Sequence, residues 1–557
     1  MRHIGYATVL VMFTVPAAVW GQGSGRAGRA AGMQQQGTQQ QAVPQQATPQ
    51  QPAISGRGGR GGAAGAGAES NEFFNYDPNA GSEAAIPETA PSETHQKITL
   101  NGEALAYTTR AGYLPLRNAT TGRSEAHVFY TYYAKDGGGD SARRPLLFFL
   151  AGAPGVAAAW QDFGGLGPKR MKWASDGSAG AAPFVWVENP HTLLGQADLV
   201  FVNPVGTAFS RPDSPARGPS FWNTTADTAS MGEFVRSFLQ TNNRGNSPLF
   251  LAGEDAGTGR AAGLAAYLTE HDIPVSGVVL LSMTMSADAQ AGDAEFLTTL
   301  PSMVMAAWHQ KKLAPDMNAM SSEQIAGRAR QFASREYLHA LYKGDRMTAD
   351  DRGKVVADMV RLTGLSRAFL VNNDLRIPLD RFCSELLRDR QRTLSKSDAR
   401  VSGFQPAAGG GRGGRGFFGF GPANTIDFDL SGKSSGFETA YEDYLRRELG
   451  FHGNGLFYLS SGGIGTFTST GNDDANLATA FARNPNMRLY VAMNYYDLNA
   501  PFYAAEFTLA HLSVAPDVRA HNITVGHFES GQMTYADDQA LAKLHGELAS
   551  FLNHTSN

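Results

Sequence analysis

The feature that most constrains the fold of this 557-residue chain is a series of short apolar runs separated by helix-length segments. The runs are Leu146 to Leu150, Asp198 to Val202, Leu249 to Ala252, Val278 to Leu281, Leu489 to Met493 and Ile523 to Phe528. Continuous apolar strands are typical of parallel sheets buried on both faces. Two earlier segments, Lys97 to Tyr107 and Glu125 to Ala134, predict further strands. The sequence therefore predicts an α/β fold with a mostly parallel central sheet and helices on both faces.

Residues 295–449 interrupt the strand pattern. They contain helix-like stretches such as Ser322 to Tyr342 and Ala440 to Leu449, together with a Gly/Arg-rich loop at 405–422. We expect a helical cap here, inserted between a first part of the core at 97–294 and a last part at 450–557.

The N-terminal residues predict export. Residues 1–21 combine a basic start with a short apolar stretch, which is typical of a cleaved signal peptide and implies a periplasmic or extracellular location. A retained membrane anchor is the alternative, although the stretch is short for a span and contains Pro16. Residues 22–75 are rich in Gln, Gly, Ala and Arg, a composition that predicts a disordered linker. No other segment is apolar enough to predict a transmembrane span.

Composition excludes several classes of site. The formal net charge of -4 offers no electrostatic argument for nucleic acid as a partner, and the Arg-Gly tracts are interpreted as solvated linkers. Cys383 is the only cysteine, so an intramolecular disulfide is impossible. The histidines lack metal-binding spacing. We therefore expect neither a metal nor a cofactor.

The chemistry is expected at the segment Gly253-Glu254-Asp255-Ala256-Gly257. A G-x-S-x-G elbow places a nucleophilic serine on a sharp strand-to-helix turn, where flanking glycines tolerate the crowded backbone. Here an apolar run leads into the turn and a helix-like stretch follows it. The frame of a catalytic elbow is present, but an aspartate stands where the serine would be.

Six ordered motifs resemble those of the serine carboxypeptidases, a family with the α/β-hydrolase fold. They are Ala151-Gly152-Ala153-Pro154-Gly155, Asp198 to Ser210, the elbow, Leu300-Pro301 to Trp308, Tyr495-Tyr496-Asp497-Leu498, and Glu529 to Tyr535. The resemblance runs from about residue 97 to the C-terminus. It implies a triad in the chain order Ser, Asp, His.

The resemblance places the nucleophile on Asp255, the orienting acid on Asp497 and the general base on Gln532. It places the oxyanion-hole donors on the backbone N–H groups of Ala153 and Ala256. The family's clamp for the substrate carboxylate would comprise Ala151, Gly152 and Glu254, with Ala151 replacing an asparagine.

Glutamine cannot relay a proton near neutral pH, so peptide hydrolysis would lack a base. We expect a hydrolase homologue without peptidase activity that binds a peptide or small molecule, with Asp497 capping a turn or bonding Gln532. One alternative is an active hydrolase with Asp255 as nucleophile, which would need His527 as base. Another is a serine peptidase using Ser210, Ser282 or Ser530, although none of these has the flanking glycines of an elbow.

Overall fold

The structure is a computed structural model. It describes residues 86, 88–137, 143–152, 155–174, 178–404, 427–453, 455–461, 464 and 473–553. The predicted signal peptide, the predicted linker and the Gly/Arg-rich loop lie outside these residues. Within the described part of the chain, no helix has the length and apolar character needed to cross a membrane.

The central sheet begins with three antiparallel strands, β1 (Ser92–Leu100), β2 (Glu103–Arg117) and β3 (Ser124–Lys135). The prediction of a single strand over Lys97 to Tyr107 was wrong, because the chain reverses between β1 and β2. The reversal uses Asn101 and Gly102, whose φ angles are 52° and 83°. Asn-Gly is a favoured pair for a two-residue hairpin turn that requires positive φ.

All six apolar runs form strands. Together with five short strands they are β4 (Leu146–Leu150), β5 (Lys169–Met171), β6 (Trp186–Glu188), β7 (Asp198–Val202), β8 (Arg211–Pro212), β9 (Leu249–Glu254), β10 (Gly277–Leu281), β11 (Arg392–Leu394), β12 (Ser402–Phe404), β13 (Arg488–Asn494) and β14 (Ile523–Phe528). The sheet order is β1-β2-β3-β7-β4-β9-β10-β13-β14, with β8 pairing with β3. From β7 to β14 every pairing is parallel, which confirms the predicted sheet.

Alternating side chains of these strands supply two separate cores. Leu251 and Val491 belong to one buried cluster, whereas their neighbours Phe250 and Tyr490 belong to the other. Successive side chains of a strand point to opposite faces, so a strand buried on both sides must be apolar throughout. This explains why the runs are continuous rather than alternating.

Helices cover both faces of the sheet. Their bounds are α1 (Ala159–Gln161), α2 (Thr224–Thr241), α3 (Gly257–Glu270), α4 (Asp293–His309), α5 (Pro315–Asn318), α6 (Ser322–Phe332), α7 (Leu338–Lys343), α8 (Ala349–Thr363), α9 (Arg367–Asn372), α10 (Leu379–Glu385), α11 (Phe428–Ser434), α12 (Phe437–Arg447), α13 (Asp473–Arg483), α14 (Phe502–His511), α15 (Pro516–Asn522) and α16 (Asp538–Asn553).

The proposed cap, residues 295–449, lies in sequence between β10 and β13 and contains most of α4 together with α5 to α12. The predicted helix over Ser322 to Tyr342 is present as α6 and α7, joined by a π-helical turn at Ala333–Tyr337. A capping box starts α6, since Ser321 and Gln324 bond each other's backbone N–H groups.

Candidate functional site

The elbow is formed by the end of β9 and the start of α3. Asp255 sits between them with φ = 50°, a backbone conformation that residues other than glycine seldom adopt. A Cβ on Gly253 would lie 2.0 Å from the Gly257 carbonyl oxygen, and a Cβ on Gly257 would lie 2.7 Å from the Ala151 carbonyl oxygen. Both glycines are therefore required by backbone packing, as in a catalytic elbow.

We expect Gly253→Ala to destabilise the fold by about 1–3 kcal/mol or more, because the added methyl group meets backbone that cannot rotate away. Gly546→Ala is the matched control. Gly546 lies inside α16 with nothing within 4 Å of its Cβ position, so alanine there should stabilise the helix by up to about 1 kcal/mol. Urea unfolding of both variants measures the difference, and equal midpoints would contradict this account of the elbow.

The backbone and the side chain of Asp255 interact with different partners. Its N–H donates to the Leu281 carbonyl at 3.0 Å, and its own carbonyl accepts from the Thr258 hydroxyl at 2.6 Å. Its carboxylate interacts with the Ala256 N–H, which lowers its pKa, but burial has the larger effect and raises the pKa to about 6. The Ala256 donor that would stabilise an oxyanion is therefore directed at the protein's own carboxylate.

This pKa predicts a pH dependence of stability. The unfolded aspartate ionises near pH 3.9, whereas the folded one keeps its proton until about pH 6. The unfolded state thus binds fewer protons between these values, and the wild-type protein loses stability as pH rises through them. We expect the melting temperature of Asp255→Asn to exceed that of the wild type by a margin that grows from pH 4 to pH 7. Calorimetry checks this, and a margin independent of pH would contradict it.

Glu254 is buried beside Asp255. Its Oε2 accepts hydrogen bonds of 2.7 Å from both the Gln161 amide and the Tyr535 hydroxyl. Burial nevertheless raises its pKa to about 8, with a further contribution from the charge of Asp255. The raised pKa favours the protonated form of Glu254, which can donate a hydrogen bond.

Asp497 follows β13 and is fully buried. Its Oδ1 accepts from the backbone N–H groups of Asn499 at 2.9 Å and Ala500 at 3.0 Å, so it caps the turn. Its pKa is raised well above the usual value, first by burial and then by the charge of Asp255. The triad positions of the acid and the nucleophile therefore lie close enough to interact electrostatically.

Gln532 is 8% exposed and is fixed through its backbone. Its N–H donates to the Ser397 carbonyl at 2.7 Å, and its carbonyl accepts from the Ser282 hydroxyl at 2.9 Å. Its side-chain oxygen accepts from the Asn499 amide at 3.4 Å. The amide thus lies beside the turn that Asp497 caps, at the edge of the same site.

The loop after β4 is anchored by Arg260 of α3. The guanidinium of Arg260 donates to the carbonyls of Ala151 and Gly152 and forms a buried ion pair of 2.6 Å with Asp227 of α2. These bonds fix the backbone of the predicted clamp. Ala153, the other predicted oxyanion donor, lies outside the described residues.

His527 is on β14, and its imidazole interacts with residues outside the elbow. Its Nε2 lies 2.8 Å from Glu506 Oε1 and 3.0 Å from Arg330 Nη2, while its ring stacks on Tyr495. These contacts direct its imidazole to the α6 and α14 side of the sheet edge. They give no support to His527 as a substitute base for Asp255.

The three alternative serines have structural hydrogen bonds. Ser210 accepts from the Phe129 N–H and donates to the Asn203 carbonyl. Ser282, with φ = 51°, donates to Gln532, and Ser530 donates to Asn494. All three are at most 1% exposed, so a substrate cannot reach their hydroxyl groups as placed.

Sequence reasoning missed Gln161, Tyr535 and Arg260 as site residues. Tyr535 closes the last matching motif, and Arg260 is the one charged residue in an otherwise uncharged turn of α3. These two signals could have marked them. Gln161 carries no such signal, because only the fold brings it to Glu254.

Among the described residues no group of three histidine, cysteine or acidic side chains is placed to hold a metal ion. Asp255, Glu254 and Asp497 interact through their charges without forming such a group.

Comparison with known proteins supports the fold and the family. The family model of the serine carboxypeptidases matches residues 100–271, which include β2 through α3 and hence the elbow. A prohormone-processing carboxypeptidase from Saccharomyces cerevisiae is similar in structure, with 14% identity and a TM-score of 0.51 over 80% of this chain and 91% of that chain. At this identity the likeness shows the α/β-hydrolase fold.

A proline iminopeptidase from Mycobacterium smegmatis matches at 10% identity over 80% of this chain and 98% of that chain. Its TM-score of 0.34 adds nothing to the fold assignment. No curated protein sequence matches the chain at a significant level.

Proposed function

We propose that this chain is a member of the serine carboxypeptidase family, whose model matches residues 100–271, and that it binds a peptide or small molecule without hydrolysing it. The observation that carries the proposal is Gln532 at the position of the base. Its amide is bonded to Asn499 beside the acid Asp497, where an imidazole would have to accept and return a proton. A side chain without a titration near neutral pH cannot perform that transfer.

The position of Asp255 supports the same proposal. Its carboxylate already engages the Ala256 N–H, so an oxyanion would compete with a resident anion for that donor. A neutral Glu254 could donate to a ligand carboxylate, although Ala151 supplies no side-chain amide to assist it.

The rival in which Asp255 is a nucleophile needs a histidine to release its ester intermediate. The interactions of His527 with Glu506 and Arg330 count against it as that histidine. Exposure to an alkyl halide or an epoxide followed by intact-mass measurement tests this. We expect no adduct on Asp255, and a stoichiometric adduct would favour the rival.

Binding is tested with a panel of N-blocked dipeptides that carry a free C-terminal carboxylate, using calorimetry and mass spectrometry of the mixture. We expect at least one dipeptide to bind and to remain intact. Glu254→Ala should weaken that binding, because it removes the hydrogen-bond donor available to the ligand. Absence of binding across the panel would contradict the binding proposal, and release of free amino acid would contradict the loss of catalysis.

We further propose that the protein is exported and that residues 1–21 are removed. The support is the basic and then apolar start of the sequence. N-terminal sequencing of the protein from a bacterial host, with separate periplasmic and cytoplasmic fractions, checks this. Cytoplasmic protein that keeps Met1 would contradict it.

A further inference from the structure

A cavity of about 680 Å³ lies at the outer edge of the central sheet. It is bounded by β14, by the segments after β13 and β14, and by residues of α6 and α16. These lining residues differ from those of the elbow. β14 is the last strand in the sheet order, so its backbone has β13 on one side and the cavity on the other.

The outward backbone groups of β14 can be identified from one hydrogen bond. The Phe528 carbonyl accepts from the Tyr495 N–H at 2.9 Å, so Phe528 faces inward. Along a strand of a parallel sheet, alternate residues form their backbone hydrogen bonds to the same neighbouring strand. The N–H groups of Val525 and His527 therefore point away from β13. Lys543 Nζ supports this, since it donates to the His527 carbonyl from outside at 2.6 Å.

The cavity has a wall on each face of the sheet. On one face His527 stacks on Tyr495, whose hydroxyl donates to Glu323 of α6 at 2.8 Å. On the other face a Cβ on Gly526 would lie 2.2 Å from Glu547 Oε2 of α16. A strand lying beside β14 would therefore direct successive side chains toward Glu323 and toward Glu547.

The charge of the lining is predominantly negative. Its carboxylates are Glu323, Glu529, Asp537 and Glu547, and its permanently charged cations are Arg400 and Lys543. The Arg400 guanidinium is already bonded to Asp398 and Asp537. Lys543 Nζ lies 3.8 Å from Glu547 and Arg330 lies 3.9 Å from Glu323, so both carboxylates have a cation nearby but beyond hydrogen-bond distance. Because the four lining carboxylates outnumber the two permanently charged cations, the surface is complementary to lysine and arginine side chains.

We propose that this edge of the sheet binds an extended basic peptide segment of a partner protein, which adds to β14 as a strand. The main-chain bonds would come from Val525 and His527, and the side-chain selectivity from Glu323 and Glu547. Lys543 protects the edge in the free protein, as lysines on edge strands commonly do, and leaves the His527 carbonyl when the segment binds. This proposal is independent of the ligand at the elbow.

The probe is a blocked, fluorescent five-residue peptide with valine, lysine, arginine, lysine and valine in order, so that adjacent basic side chains point to opposite faces of the sheet. Two control peptides accompany it: one with N-methyl groups on alternate amides, and one with glutamate in place of each basic residue. Anisotropy titration of the full chain should show binding of the basic peptide that weakens with salt. We expect at least tenfold weaker binding of both control peptides.

Variants of the protein test the same contacts. Val525→Pro removes an outward N–H. It should lower the affinity about tenfold, which is the loss expected when one hydrogen bond is removed. Val525→Thr keeps the N–H and the branched shape, so it should bind like the wild type. Lys543→Ala frees the His527 carbonyl and removes a positive charge, and it should bind the basic peptide several-fold more tightly.

Absence of binding by the basic peptide, equal binding of the N-methylated peptide or equal binding of the glutamate peptide would each overturn the proposal. Should Val525→Pro fail to fold in thermal unfolding, the N-methylated peptide and Lys543→Ala still decide the question. Weaker binding by Lys543→Ala would also overturn it.

Discussion

Replacing Asp255 with serine and Gln532 with histidine in one protein is expected to increase hydrolysis of an activated ester by about 10²–10⁴-fold over the wild type, the usual contribution of a general base. The elbow already holds residue 255 at a φ of 50°, and the glycines around it are in place. Asp497 lies buried close to the elbow, and its Oδ2 has no hydrogen-bond partner among the described residues. It can therefore orient an imidazole at position 532.

The single substitutions are the controls. Asp255→Ser without the histidine, and Gln532→His without the serine, should both stay near the wild-type rate, because triad members act as a unit. A fluorophosphonate probe should accordingly label the double variant and neither single variant. Equal rates in the double variant and in Asp255→Ser would contradict this account, since the base would then be dispensable.

Replacing Arg260 with methionine is expected to destabilise the protein by about 3–5 kcal/mol, because Asp227 would be left as an unpaired buried charge. Arg260 and Asp227 are 8% and 6% exposed, and their ion pair of 2.6 Å joins α3 to α2. The substitution also removes the donors to the carbonyls of Ala151 and Gly152. Denaturant unfolding measures the loss.

A double variant separates the two effects. Arg260→Met with Asp227→Leu removes both charges and should recover part of the stability lost by Arg260→Met alone. The recovery should be incomplete, because the two carbonyls of the loop still lack their donor. If the double variant were less stable than the single one, the buried charge would not be the cause of the loss.

The parallel part of the fold was predictable because burial on both faces forces strands to be apolar at every position. Leu249 to Ala252 and Val278 to Leu281 lie within β9 and β10 for that reason. The hairpin at Asn101 and Gly102 was missed because the alternating pattern continues on both sides of it. The Asn-Gly pair was present in the sequence, and its preference for a hairpin turn determines the structure there despite the continuous alternating pattern.

The site was predictable only where local backbone chemistry determines it. Gly253 follows from steric crowding within the five residues of the elbow, whereas Gly257 is required by the Ala151 carbonyl of the loop after β4. The turn-capping role of Asp497 follows from the ability of aspartate to accept from nearby N–H groups. The burial that raises the pKa of Asp255 to about 6 arises from the packing of distant segments, which the sequence alone does not reveal.

Contacts between distant segments could not be predicted. The bonds of Glu254 to Gln161 and Tyr535 join residues 93 and 281 positions apart. The direction of His527 depends on Glu506 of α14 and Arg330 of α6, and neither residue has a motif that links it to β14. Such pairings are set by how the helices pack on the sheet.

The central proposal is that Gln532 cannot transfer a proton as the base of a triad would, and that the wild-type protein therefore does not cleave peptides. The most direct measurement is release of C-terminal amino acids from a peptide mixture, followed by mass spectrometry, for the wild type and for Asp255→Asn prepared identically. We predict no release above the buffer control from either protein. Steady release by the wild type that disappears in Asp255→Asn would contradict the claim.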